Sequence, residues 1–137
     1  MGAWDLGPFD NDGALDLLGH LDGGADLATA LAGALREVLD QDDYVEGPDM
    51  AGGVALACLA VARLAGAETV ALTDPVAVRW LETNPFEVDE ELRGLATGVL
   101  DRAADPGDNE LYDLWEDAGV LDRWLATLAP YRRALVG

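Results

Sequence analysis

Two carboxylates and the single histidine of the chain are spaced four residues apart near the N-terminus, at Asp12, Asp16 and His20. Residues at this spacing lie on the same face of a helix, so the three side chains would form one stripe. With Asp10 beside them they could bind a divalent metal ion, or Asp16 could orient His20 as a general base. The simpler interpretation is a solvated helix face on which Asp16 pairs with His20. The sequence leaves both interpretations open.

The rest of the chain offers little to other catalytic chemistries. It contains no serine, and its one cysteine, Cys58, lies in an apolar stretch where we expect a buried thiol. A single histidine cannot build a multi-histidine zinc site, and the glycine pairs lack the spacing and the lysine of a phosphate-binding loop. An EF-hand loop that starts at Asp10 would place leucines at its glycine and glutamate positions. We therefore predict no catalytic residue and no cofactor.

A second candidate site is the acidic stretch QDDYVE at residues 41–46. Asp42, Asp43 and Glu46 surround Tyr44, an aromatic residue that we expect to be exposed. Such a stretch could bind a basic partner, although a solvated connection between two helices has the same composition.

The four tryptophans divide into two groups. Three of them, Trp80, Trp115 and Trp124, lie on apolar stripes with helical spacing, which is typical of core residues. Trp4 lies on no such stripe, and tryptophan is frequent among the residues that dominate binding energy. We therefore regard Trp4 as a candidate binding residue.

The chain is strongly acidic, with 27 acidic residues against eight basic ones and a formal net charge of −19. The first 50 residues contain twelve of the acids and one arginine, Arg36. This charge repels nucleic acid and anionic membranes, so we expect neither as a partner. The negative charge favours binding to a basic protein partner. A weaker alternative is that the protein itself mimics DNA. We see no signal peptide and expect a cytoplasmic protein; its oligomeric state is not determined by the sequence.

These side chains must be positioned by a fold that we predict to be all-α. The stretch 49–66, DMAGGVALACLAVARLAG, is apolar on every side, which is typical of a helix enclosed by others, and we expect it to be too short to cross a bilayer. At 137 residues the chain should form a single domain. The prediction is a compact bundle of six to seven short helices around this central helix, with residues 1–11 as a non-helical segment that packs on the bundle.

Apolar spacing, capping residues and breakers locate the surrounding helices. They are predicted at about residues 12–21, 26–40, 74–84, 89–103, 109–118 and 121–135. Gly119 should separate the last two, and Pro130 should bend or split the final one because it removes a backbone donor. The Gly52–Gly53 pair should let another helix approach the central one closely.

The opening GAWDLGPFDND, followed by Ala14 and Asp16, resembles the start of a bacterial domain family of unknown function. Members of that family begin with a Gly-x-Trp-Gly-x-Gly-x-Phe-Asp-Asn-Asp pattern, and ELYDLWED at residues 110–117 is similar to their C-terminal region. The resemblance implies an all-helical fold and brings no activity. Asp5 replaces a usual glycine, and Gly13 replaces a frequent acid, which weakens any ligand-binding role for the acidic run.

From these observations we expect a non-enzymatic protein-binding module, similar to an immunity protein or an inhibitor, that recognises a basic partner through its acidic N-terminal half. The alternative from a different class is a carboxylate-based metal-binding protein or hydrolase that uses Asp12, Asp16 and His20.

Overall fold

The computed structural model describes residues 26–70 and 72–136. The predictions that lie outside the described residues concern the segment 1–11, the helix at about 12–21, and the candidate site residues Trp4, Asp10, Asp12, Asp16 and His20.

The fold is all-α, as the sequence predicts. The described residues form six helices, α1 (Leu27–Leu39), α2 (Gly47–Ala65), α3 (Pro75–Thr83), α4 (Glu90–Ala103), α5 (Glu110–Asp117) and α6 (Leu121–Val136). In this part of the chain β pairing is limited to one isolated parallel bridge between Val45 and Asn109.

Helix α2 is the centre of the bundle. Every residue from Met50 to Ala62 is buried, and α2 packs against each of the other five helices. Its 19 residues are long and apolar enough to cross a membrane, so the expectation that it is too short is wrong. Most of this helix is buried inside the protein, and that burial identifies it as a core helix.

Close packing around α2 depends on Gly53. A Cβ atom at this position would lie 2.9 Å from Cγ2 of Val38 on α1 and 3.4 Å from Cγ1 of Val99 on α4. Two helices therefore approach α2 at the same glycine, where any side chain would be in their way. The predicted role of the central glycines is confirmed at this residue.

Predicted helix starts within residues 26–70 and 72–136 are also confirmed. At four of them a side chain accepts hydrogen bonds from free backbone N–H groups of the first turn, namely at Asp26, Asp74, Asp89 and Asn109. Gly66 ends α2 with a φ of 97°, and Gly119 separates α5 from α6 with a φ of 76°. Both residues adopt the left-handed region that glycine enters without steric cost.

Two details of the C-terminal part differ from the prediction. Apolar spacing in the helix at about 109–118 predicts a buried side made of Leu111, Leu114, Trp115 and Ala118. Instead, Leu114 is 53% exposed and Ala118 is also exposed, because the short helix α5 is buried mainly through Leu111 and Tyr112. Helix α6 is not split at Pro130, since packing of its buried side chains holds one continuous helix across the missing donor.

The prediction for the core tryptophans is confirmed for two of the three. Trp80 is 5% exposed and Trp124 is 2% exposed, whereas Trp115 is half-buried against the core.

Candidate functional site

The loop between α1 and α2, residues 40–46, is called the acidic loop below. It contains Asp42, Asp43 and Glu46, which are all exposed, and Tyr44, which is 49% exposed. Its only buried residue is Val45, which is 0% exposed. The loop thus has one apolar anchor directed into the protein and charged side chains directed outward.

Arg102, in the last turn of α4, determines where the acidic loop lies. Its Nη1 donates to the carbonyl oxygens of Val38 and Leu39 at 2.9 and 3.5 Å, and its Nη2 donates to the carbonyl oxygen of Asp43 at 2.9 Å. Its Nε lies 2.9 Å from both carboxylate oxygens of Asp108. One planar guanidinium therefore caps the C-terminal end of α1 and fixes the loop to the turn before α5.

Backbone hydrogen bonds attach the acidic loop to the start of α5. The N–H of Val45 donates to the carbonyl oxygen of Asp108 at 3.1 Å, and the N–H of Glu110 donates to the carbonyl oxygen of Val45 at 2.8 Å. The Glu110 side chain then accepts from the N–H of Gly47 at 2.8 Å. Val45 at the end of the loop and Gly47 at the start of α2 are therefore held by partners more than sixty residues away in the chain.

Asn109 holds the other side of this junction. It is 0% exposed, and its Oδ1 accepts from the N–H of Tyr112 at 2.8 Å, which caps α5. Its Nδ2 donates to the carbonyl oxygen of Arg102 at 3.1 Å. A buried amide needs both its donor and its acceptor satisfied, and here the two bonds join the end of α4 to the start of α5.

The phenol of Tyr44 is tethered across this junction. Its hydroxyl donates a hydrogen bond to Oδ2 of Asp113 on α5. This bond, then partial desolvation, then the negative charges of Asp113, Glu110 and Asp117, raise the pKa of Tyr44 from 10.0 to about 12. The phenol consequently stays neutral and remains a donor at physiological pH.

One face of α5 completes the surface. Residues 110, 113, 114 and 117 share a side of the helix because they are three or four apart. Together with the acidic loop, this face displays five exposed carboxylates, the half-buried Asp113 and two large exposed side chains, Tyr44 and Leu114. We call this set the Tyr44 surface; its members are Asp42, Asp43, Tyr44, Glu46, Glu110, Asp113, Leu114 and Asp117.

A metal ion could be held where ligating side chains of the described residues cluster. Residues 26–70 and 72–136 contain no group of three or more His, Cys, Asp or Glu side chains arranged to hold a metal ion. Cys58 is fully buried, and burial raises the pKa of its thiol, which keeps the unreactive protonated form.

The loop candidates Asp42, Asp43, Tyr44 and Glu46 are all exposed, and the Tyr44 hydroxyl reaches Asp113 on α5. Sequence reasoning did not identify Glu110, Asp113 and Leu114 as their neighbours, nor Arg102 as the residue that positions them. In the sequence, Glu110 and Asp113 lie on the polar side of the helix predicted at about 109–118, a pattern typical of any solvated helix face. Tyr44 and Asp113 are 69 residues apart in the chain, and Asp43 and Arg102 are 59 apart. No pattern of neighbouring residues could therefore indicate these contacts.

A family model described as a domain of unknown function (DUF4259) matches residues 2–127. No curated protein matches the chain, and no solved structure matches it.

Proposed function

This chain belongs to the DUF4259 family of domains of unknown function, and from that premise we propose that it is a non-enzymatic module that binds a basic protein partner through the Tyr44 surface. The proposal includes an immunity-like or inhibitor-like role, in which the module covers a functional surface of its target. The opening segment GAWDLGPFDND remains our proposed signature of the family.

The observation that carries the proposal is the pair of exposed side chains set among carboxylates. Tyr44 and Leu114 are 49% and 53% exposed, although each is large enough to pack in a core. Tyrosine is enriched among the residues that contribute most to binding, and such anchors are most effective when surrounding contacts exclude water. The carboxylates around the two anchors would form that polar rim.

Pre-organisation supports the same interpretation. An exposed aromatic side chain normally loses rotamer freedom when a partner binds, and this loss weakens the complex. The Tyr44 hydroxyl is already fixed to Asp113, and Arg102 already fixes the backbone of Asp43. A partner would therefore meet a surface whose shape is largely set in the free protein.

Charge supports a basic partner. The chain has a net charge of −19, and the Tyr44 surface displays six carboxylates. Complementary charge accelerates association and excludes acidic competitors, more than it adds affinity. The two anchors would then supply the short-range part of the binding energy.

The test compares immobilised wild-type protein with a Tyr44→Ala/Leu114→Ala variant of the same net charge. The two columns have the same net charge and should retain basic proteins non-specifically to the same extent. Retention of a protein by the wild type alone therefore depends on Tyr44 and Leu114. We expect such a protein to be basic, and its purified form to bind the wild type more weakly as ionic strength rises.

A Leu64→Ala/Val76→Ala variant is the matched control. Leu64 and Val76 are 43% and 50% exposed and lie away from the acidic loop, so their removal should leave binding unchanged. If no protein distinguishes the first two columns, or if the affinity of the purified partner ignores ionic strength, the proposed function is wrong.

A further inference from the structure

A groove with a different character lies between α4 and the C-terminal part of α6. It has a volume of about 620 Å³ and is lined on its apolar side by Leu100, Leu135, Val136 and Thr97. Val136 is 89% exposed, the largest exposed fraction among the large hydrophobic side chains of the described residues. The volume falls within the range of small-molecule sites, which are mostly apolar with a few placed polar groups.

The polar side of this groove is cationic, in a protein that is otherwise acidic. Arg132 and Arg133 lie along it, and Asp101 faces Arg132 with an Nη2–Oδ1 distance of 3.1 Å. Arg133 is exposed and has no side-chain partner among residues 26–70 and 72–136. One guanidinium at the edge of the groove is thus available to an anion.

The wall that carries Arg133 is fixed. Arg93 on α4 donates from Nη2 to the carbonyl oxygen of Leu135, which ties the last turn of α6 to α4. This bond satisfies a carbonyl that a helix end otherwise leaves free. The backbone that carries Leu135 and Arg133 therefore keeps its position against α4 without a ligand.

We propose that this groove binds an aliphatic monocarboxylate, with the alkyl chain on the exposed Val136 side chain beside the edge of Leu135 and the carboxylate on the Arg133 guanidinium. A guanidinium pairs well with a carboxylate because two parallel N–H donors match its two oxygens. The exposed Val136 side chain would be covered by the alkyl chain, which removes apolar surface from water.

The net charge of the protein selects a small ligand over an acidic macromolecule. An acidic protein or an anionic membrane would bring many negative charges against a chain of net charge −19. A monocarboxylate brings a single negative charge. That charge would lie within a Debye length of Arg133, where salt screens their attraction least. The proposal is independent of the Tyr44 surface, which lies on other elements.

The experiment titrates decanoate into the full chain and follows backbone amide shifts of Thr97, Leu100 and Val136 by NMR, with decanol as the uncharged probe of equal chain length. We expect saturable shifts with decanoate and binding at least about tenfold weaker with decanol, because a charge-assisted hydrogen bond is lost. Arg133→Gln should weaken decanoate binding by a similar factor.

Arg123→Gln is the matched control, because Arg123 is exposed on the N-terminal part of the same helix, outside this groove, and its loss changes the net charge equally. It should bind decanoate as the wild type does. The proposal is wrong if decanoate causes no saturable shift, if decanol binds equally well, or if Arg133→Gln and Arg123→Gln behave alike. Binding to anionic vesicles without binding of free decanoate would also overturn it, in favour of a membrane surface.

Discussion

The Tyr44 hydroxyl donates its hydrogen bond to Asp113 across 69 residues of chain, from the acidic loop to helix α5. The two residues come together because Val45 is buried and pairs with Asp108 and Glu110 at the start of α5. The surface that we propose for partner binding thus depends on the attachment of a loop to a distant helix.

Because of this bond, part of the free energy of unfolding should be lost as pH rises in the alkaline range. The pKa of Tyr44 is raised from 10.0 to about 12, so the folded state favours the neutral phenol. A group with a raised pKa stabilises the folded state fully below its unfolded pKa, and this contribution is lost as pH rises through the folded value. The difference in free energy of unfolding between wild type and Tyr44→Phe should therefore be constant below about pH 10 and shrink between about pH 10 and 12.

Urea unfolding at a series of pH values measures that difference. NMR of ring-labelled tyrosine gives the site-specific check, because Asp113→Ala removes both the acceptor and its charge and should return the pKa of Tyr44 toward 10.0. An unchanged Tyr44 titration in Asp113→Ala would show that the bond does not control this phenol.

Arg102 is expected to be the most sensitive arginine of the described residues. Its side chain is 15% exposed and joins Asp108, Asp43 and the end of α1. Arg102→Ala should lower the free energy of unfolding by about 2–4 kcal/mol, because several carbonyl oxygens and one carboxylate lose their donor together. Arg102→Lys should recover less than half of this, since an ammonium cannot reproduce the planar fork.

Arg36→Ala provides the comparison. Arg36 also forms an ion pair, with Glu91 at 3.1 Å, but the two side chains are 47% and 65% exposed. Exposed pairs contribute about 0–1 kcal/mol, so urea unfolding should separate the two alanine variants clearly. Equal losses at Arg36 and Arg102 would contradict the central role that we assign to Arg102.

Glycine-to-alanine substitutions should have opposite effects at different positions. At Gly53 the new Cβ would lie 2.9 Å from Cγ2 of Val38, and we expect a loss of about 1–3 kcal/mol from overpacking. At Gly33 and Gly94, both inside helices, a Cβ meets nothing within 4 Å. Alanine there should raise stability by about 0.5–1 kcal/mol, because it costs less backbone entropy than glycine in a helix.

Thermal unfolding of the three variants tests the predicted loss of stability at Gly53 and the predicted gain at Gly33 and Gly94 in one experiment. Adding Val38→Ala to Gly53→Ala should recover part of the loss if contact with Val38 is its cause. A Gly53→Ala variant as stable as wild type would show that α1 and α2 can separate at this point without cost.

The metal-binding alternative requires a separate test, because Asp10, Asp12, Asp16 and His20 lie outside the described residues. We expect thermal unfolding to be unchanged by calcium, magnesium, manganese or zinc relative to chelator, since Asp16 and His20 can pair with each other on a solvated helix face. A stabilising shift that disappears in Asp16→Ala would instead establish the site, because a ligand that binds only the folded state raises its stability.

The sequence by itself determined the features that depend on neighbours a few residues apart. The all-round apolar pattern of residues 49–66 predicted a core helix, and Asp74 and Asn109 predicted helix starts, because amphipathic spacing and capping act within one or two turns. It also predicted an acidic loop with an exposed tyrosine at residue 44.

Only the tertiary structure decided what surrounds that tyrosine. Asp113 lies on the outer face of α5, where its pattern is the same as that of any solvated carboxylate, and Arg102 reaches Asp43 only because α4 packs beside α1. The groove beside Arg133 likewise exists because the ends of α4 and α6 meet there. These relationships depend on how helices pack in three dimensions, and residue periodicity along one helix does not specify which distant helix it will meet.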